Sequence, residues 1–232
     1  MGTRNLTCVV LNGEYIVAKY CQWDGYPSGQ GVEILNFLRE RFDRAKFLEQ
    51  LELVEEITED QIHQFYVEAG QTRNDGMVNM EVADRFRRRF PHLNRDMGGD
   101  ILEFIQEFPD TLNCAVEKDE DKGDWWTSPK KLEGEDDLPS AFDAMGGKIL
   151  LRNDLSFAKD GLFCEFAYVL DLDTNVLEVY FGFNKGEPGR FGDEVNEGGY
   201  RPVGLVKTYS LSDLPDEEMF LADLEEDEGD DG

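Results

Sequence analysis

The sequence predicts an α+β fold: an antiparallel sheet built from an N-terminal hairpin and C-terminal strands, with a helical middle region. Three observations carry that reading. Asn12-Gly13 joins two β-rich runs near the start, apolar residues recur at helical spacing from Ile34 to Phe108, and from Lys148 onward the apolar period falls to two.

Residues 4–11 and 14–21 are the first two strands. Asn-Gly between them is the strongest short hairpin signal, because both turn positions need positive φ. A two-residue turn sets Leu11 opposite Glu14 and Cys8 opposite Val17. One face then carries Leu6, Cys8, Val10, Tyr15 and Val17, and the other Val9, Leu11, Ile16, Ala18 and Tyr20. Both faces are apolar, so the hairpin belongs inside a sheet covered on both sides.

A Gly-rich stretch from Tyr20 to Gly31 leads into residues 32–44, where Ile34, Leu35, Leu38 and Phe42 share a helix face. Residues 47–57 continue that period through Leu48, Leu51 and Val54. Thr58 is a good N-cap for a helix over 59–69. Residues 78–90 place Val82, Phe86 and Phe90 on one helix face, and Pro91 stops them. Arg85, Arg87, Arg88 and Arg89 are expected to pair with the chain's own carboxylates. A further helix covers 100–108, so the helical region spans 32–108, and residues 113–116 are strand-like.

Residues 117–138 read as an acidic loop, in which Trp125 and Trp126 need an apolar anchor. Residues 148–151, 162–172, 176–183 and 200–209 read as strands, the middle two forming a second hairpin over Asp173-Thr174-Asn175. Residues 182–199 read as a long mobile loop. A short acidic helix over 211–224 leads into the end of the chain. Residues 213–232 hold eleven acids and no base, the composition of a disordered tail. If the two hairpins share one sheet, residues 1–212 form a single domain; a split near Asp110 is the alternative.

Charge and composition narrow the function. The net charge is −28, and residues 1–212 still hold −17 without the tail. Such a surface repels phosphate backbones, which argues against direct nucleic-acid binding, and attracts a basic protein surface. No apolar run reaches the roughly 18 residues of a membrane helix, and a cytoplasmic protein is expected. Cys8, Cys21, Cys114 and Cys164 show no CxxC spacing, and His63 and His92 stand apart from them, so neither a metal nor a cofactor is expected. The Gly25–Gly31 loop has neither a GKS/GKT ending nor GxGxxG spacing, and Asp24 beside it repels phosphate. Asp171, Asp173 and Asn175 begin like a calcium loop, but Val176 and Gly182 break the pattern. Asp24, flanked by Trp23 and Tyr26, is the acid best placed for a partly apolar site with a raised pKa. The candidate binding residues are Trp23, Asp24, Tyr26, Trp125 and Trp126.

Gly2-Thr3-Arg4-Asn5-Leu6, the run from Val17 to Gly31 with its QWDGYPSGQG, and the run from Leu162 to Asp173 together resemble a family of uncharacterised fungal, bacterial and phage proteins. The resemblance implies no activity. A second one does. Gly2-Thr3 followed by a strand, a Gly-bearing turn and a second strand is similar to the start of N-terminal-nucleophile hydrolases of the proteasome type. It implies an amidohydrolase with Thr3 as nucleophile, its own amine serving as base, although this chain has Lys19 and Asp24 near the end of the second strand, where those enzymes place an aspartate. A hydrolase that uses an acid such as Asp24 is the alternative. The leading expectation is a non-enzymatic acidic interaction protein, an inhibitor or charge mimic that binds a basic protein surface.

Overall fold

The Asn12-Gly13 turn takes φ of 55° and 75° and folds β1 (Asn5–Leu11) back on β2 (Glu14–Cys21). The structure, a computed structural model, describes residues 2–72, 77–112 and 138–225. Leu11 faces Glu14 as expected, but Cys8 faces Ala18 and Val9 faces Val17. Ile16 is an extra, unpaired residue, a β-bulge that moves Val17 to the face of Val9 and Ala18 to the face of Cys8. The bulge also sets Lys19 opposite Thr7 and Cys21 opposite Asn5.

β1 pairs on its other side with β5 (Phe166–Asp171), and these two strands run parallel. β6 (Val176–Phe181) and β7 (Gly204–Ser210) continue antiparallel, giving the order β2-β1-β5-β6-β7. The sheet is therefore mixed: the two hairpins share it, but they meet through a parallel pair. Asp173 ties their tips together, its carboxylate accepting the N–H of Asn12 at 2.8 Å and of Gly13 at 2.7 Å.

α1 (Val32–Glu40) buries Ile34, Leu35, Phe37 and Leu38. α2 (Arg44–Leu51) starts at Asp43, whose carboxylate accepts the N–H groups of Ala45 and Lys46. The helical period expected to reach Ile57 ends at Leu51. Val54–Glu56 is instead a strand, β3, parallel to β4 (Ile149–Leu151) in a separate two-stranded sheet. The wholly buried β4 offers Val54 an apolar partner, and so short a strand leaves no period to read.

α3 (Glu59–Glu68) begins with a full capping box between Thr58 and Gln61. Thr58→Ala is expected to cost about 1 kcal/mol and to lower the thermal midpoint by roughly 2–4 °C. An unchanged melting curve would show that the cap is redundant.

α4 (Met80–Arg89) keeps its arginines at home: Arg85 pairs with Glu81, Arg87 with Asp84, and Arg89 with Glu68. α5 (Ile101–Gln106) and the single turn α6 (Ala141–Ala144) follow. α7 (Glu217–Glu225) corrects the expectation of a disordered tail from 213 onward, because its Phe220 and Leu224 are buried in the core. No helix among the described residues is long and apolar enough to cross a membrane.

The helices cover the face of the sheet that carries Val9, Val17, Leu170 and Val179. The opposite face, with Leu6, Cys8, Val169 and Tyr180, is covered by irregular chain bearing Ala158, Phe191 and Val203. The loop over 182–199 is pinned there rather than loose. Arg190 bonds Asp171 at 2.8 Å and Glu178 at 2.6 and 2.7 Å, and the Phe191 ring packs edge-on against Tyr180. Cys8, Cys21 and Cys164 are buried free thiols. Residues 113–137, which include Trp125 and Trp126, lie outside the described residues.

Candidate functional site

The end of β2, the starts of β1 and β5, the end of β6 and the start of β7 all lie at one end of the sheet, as their pairing directions require. Gly2 to Leu6, Tyr20 to Gly31 and Leu162 to Phe166 meet at this end. Gly25 donates its N–H to the Thr3 carbonyl at 3.0 Å, and the buried Tyr168 hydroxyl donates to the Gly25 carbonyl at 2.8 Å. A Cβ on Gly25 would stand 2.9 Å from both the Thr3 carbonyl oxygen and Asn5 Cβ, so glycine is required for this close approach. Pro27–Gly31 is one π-helical turn that runs straight into α1.

A second loop locks the first. Gln22 N–H donates to the Arg95 carbonyl at 2.7 Å, the Trp23 indole N–H donates to Asp96 at 3.0 Å, and Gly99 N–H donates to the Gln30 side chain. Asp24 sits at the crest with φ of 54°, in the left-handed region.

The sequence sets Trp23 and Tyr26 around Asp24 as a partly apolar site, but the structure leaves both rings at the surface. Trp23, Tyr26, Phe163 and Phe183 are each 45–50% exposed. Asp24 is exposed as well, so the partly apolar environment expected for it is absent. The loop spends its interior contacts on Cys21, Gly25 and Gly31, and its large rings are left pointing outward. Phe163 and Phe183 flank β5 and β6, where the alternating period makes them look like strand residues. No feature of the sequence marked them as surface aromatics.

Tyr26, Glu165, Phe166, Phe181, Gly182, Phe183 and Lys185 line a cleft of about 210 Å³. Phe183, on its wall, and Asn184 next to it have φ of 56° and 62°. Two successive left-handed residues without glycine store strain, which is found at ligand-facing segments more than elsewhere. Beside the cleft, Arg4 lies 4.9 Å from the centre of the Phe163 ring and 3.3 Å from Glu165.

Beneath the loop the hairpin turns polar. Thr3, which the hydrolase resemblance makes the nucleophile, is only 5% exposed, and Gly2 before it abuts the Trp23 indole. Lys19 lies opposite Thr7, is 4% exposed, and donates to the carbonyls of Tyr20 at 2.9 Å and Asn94 at 2.7 Å. Burial pushes its ammonium pKa down. His92 stacks on Phe104, and burial, aided by the Lys19 charge, lowers its pKa to about 3. Asp100 accepts the Gly98 N–H at 2.7 Å; burial and the nearby Glu33 charge raise its pKa to about 6.

No protein-family model, curated protein or solved structure gives a match to this chain.

Proposed function

We propose that the protein is an acidic interaction module that docks a basic surface of another protein with the aromatic end of its sheet. The observation that carries this reading is the exposure of Trp23, Tyr26, Phe163 and Phe183 at one end of the sheet, Tyr26 and Phe183 lining a cleft there, in a chain of net charge −28. Large exposed aromatics gathered in one place favour association, because they supply contact area with little loss of conformational freedom. Their ring faces accept lysine and arginine cations, and Arg4 already engages Phe163 in this way. The acidic body and tail steer a basic partner inward, in the manner of a nucleic-acid charge mimic.

The test starts from a variant with Trp125 and Trp126 replaced by phenylalanine, which leaves Trp23 as the only tryptophan. An arginine-rich peptide is expected to change its fluorescence at low salt. The response should weaken as the Debye length falls below about 10 Å. Trp23→Ala with Phe183→Ala, made in the parent chain and followed by calorimetry, should weaken binding by at least about 1 kcal/mol and lower the thermal midpoint by no more than roughly 2–4 °C, the loss of the exposed Trp23–Asp96 hydrogen bond. Binding indifferent to salt, or to both substitutions, would count against the proposal.

A further inference from the structure

Under the Trp23–Tyr26 loop, the helix-side face of the hairpin presents polar groups that the protein itself does not satisfy. Asn5 and Thr7 on β1 are 0% and 1% exposed. Neither polar atom of the Asn5 side chain nor the Thr7 hydroxyl meets a hydrogen-bond partner, and the same holds for both ring nitrogens of the fully buried His92. Each such atom carries an uncompensated desolvation cost if nothing meets it.

Lys19 lies among them. Thr7 is its cross-strand partner, which brings their Cβ atoms within about 5 Å. Its ammonium reaches along the strand to the Tyr20 carbonyl, level with Cys21, whose cross-strand partner is Asn5. Asn5, Thr7 and Lys19 therefore stand side by side on one face of the hairpin. The two hydrogen bonds from the ammonium go to neutral carbonyls, which leaves its third N–H to spare. The charged groups that act on it from further off are Asp154, Asp100 and Arg152, with the Cys21 thiol nearer the strand.

We propose that Asn5, Thr7 and Lys19 form an internal site for a small monovalent anion of halide size. The site would offer three donors: an amide N–H, a hydroxyl and the remaining ammonium N–H. Water would satisfy the amide and the hydroxyl but would leave a buried positive charge without a contacting counter-charge, which is the larger cost. A metal cation is repelled by the same ammonium. Larger multivalent anions face both the narrow donor set and the repulsion of a chain of net charge −28. His92, near enough for the Lys19 charge to act on it and without a partner at either ring nitrogen, would add one more N–H.

The full chain, crystallised and soaked in bromide, is expected to show an anomalous peak between Asn5, Thr7 and Lys19. Chloride should raise the thermal midpoint of the full chain in buffers held at constant ionic strength with a bulky organic anion. Thr7→Val keeps the shape of the side chain and removes one donor, so the chloride concentration for half the effect should rise about tenfold. Lys19→Met should abolish the effect. If that variant does not fold, Thr7→Val and the anomalous map decide alone. A map with bromide only on the surface, or a midpoint indifferent to chloride at fixed ionic strength, would overturn the proposal.

Discussion

Arg190→Ala is expected to lower stability by about 3 kcal/mol and the thermal midpoint by roughly 6–12 °C, a large effect for one side chain in a loop. The guanidinium spans two carboxylates that share the covered face of β5 and β6. It bonds Asp171 at 2.8 Å and Glu178 at 2.6 and 2.7 Å, and the Tyr180 hydroxyl donates to Glu178 at 2.7 Å. The acid side chains are only 7% and 14% exposed. Removing the cation leaves two shielded negative charges facing each other, which costs more than the pair contributes. Arg190→Lys should recover only part of the loss, because a point charge cannot bridge both acids as a planar fork does.

The pH dependence sharpens this expectation. Burial pushes the Asp171 carboxyl up, but the Arg190 guanidinium and the Thr174 backbone N–H outweigh it and hold the pKa below its usual value. In the parent protein that stabilising contribution is present above about pH 4 and is lost as the pH falls further. Without Arg190, only the hydrogen bonds from Asp173 and Thr174 are left to oppose burial, and the carboxyl pKa rises. The variant should then gain stability relative to the parent as the pH falls from 7 towards 4. Denaturant unfolding at several pH values checks both statements. A loss under about 1 kcal/mol, or an unchanged pH profile, would mean that the loop holds its place without this clamp.

Much of this architecture was readable in the chain, and the exceptions share a cause. Asn12-Gly13 and the Thr58 capping box depend on local backbone chemistry, so a few residues suffice to reveal them. The bulge at Ile16 was hidden because both faces of the hairpin are apolar, and a pattern apolar on both sides cannot report a one-residue shift of phase. That shift decides the polar patch: it carries Lys19 and Cys21 to the face of Asn5 and Thr7. Arg190 looked like one more charge in a Gly-rich loop, and its partners lie 12 and 19 residues away. At the sheet's end, Trp23 and Tyr26 stood out by composition. Phe163 and Phe183 did not, because only the pairing of β1 with β5 brings them beside that loop.

His92→Phe and Asp100→Asn should produce opposite changes in the pH dependence of stability. His92 is fully buried, and its pKa falls to about 3 from an ordinary value of 6.5. The unfolded chain therefore binds a proton below pH 6.5 that the folded chain refuses. Stability from this source is complete above pH 6.5 and declines at about 1.4 kcal/mol per pH unit until pH 3. Phenylalanine keeps the stacking on Phe104 and removes the titration, so the variant should gain about 2 kcal/mol on the parent between pH 7 and pH 5. Asp100 works in the other direction. Its pKa rises from 3.8 to about 6, so its contribution is greatest at low pH and is lost as the pH rises through 6. Asparagine still accepts the Gly98 N–H and carries no charge, so Asp100→Asn should stabilise the protein at pH 7 by up to about 3 kcal/mol, an advantage gone by pH 4. In the parent the two slopes oppose each other between pH 4 and 6, and only the variants separate them. The measurement belongs in chloride-free buffer, where no anion beside Lys19 eases the protonation of the histidine. Parallel pH profiles for both variants would mean that neither group titrates differently in the folded and unfolded chains.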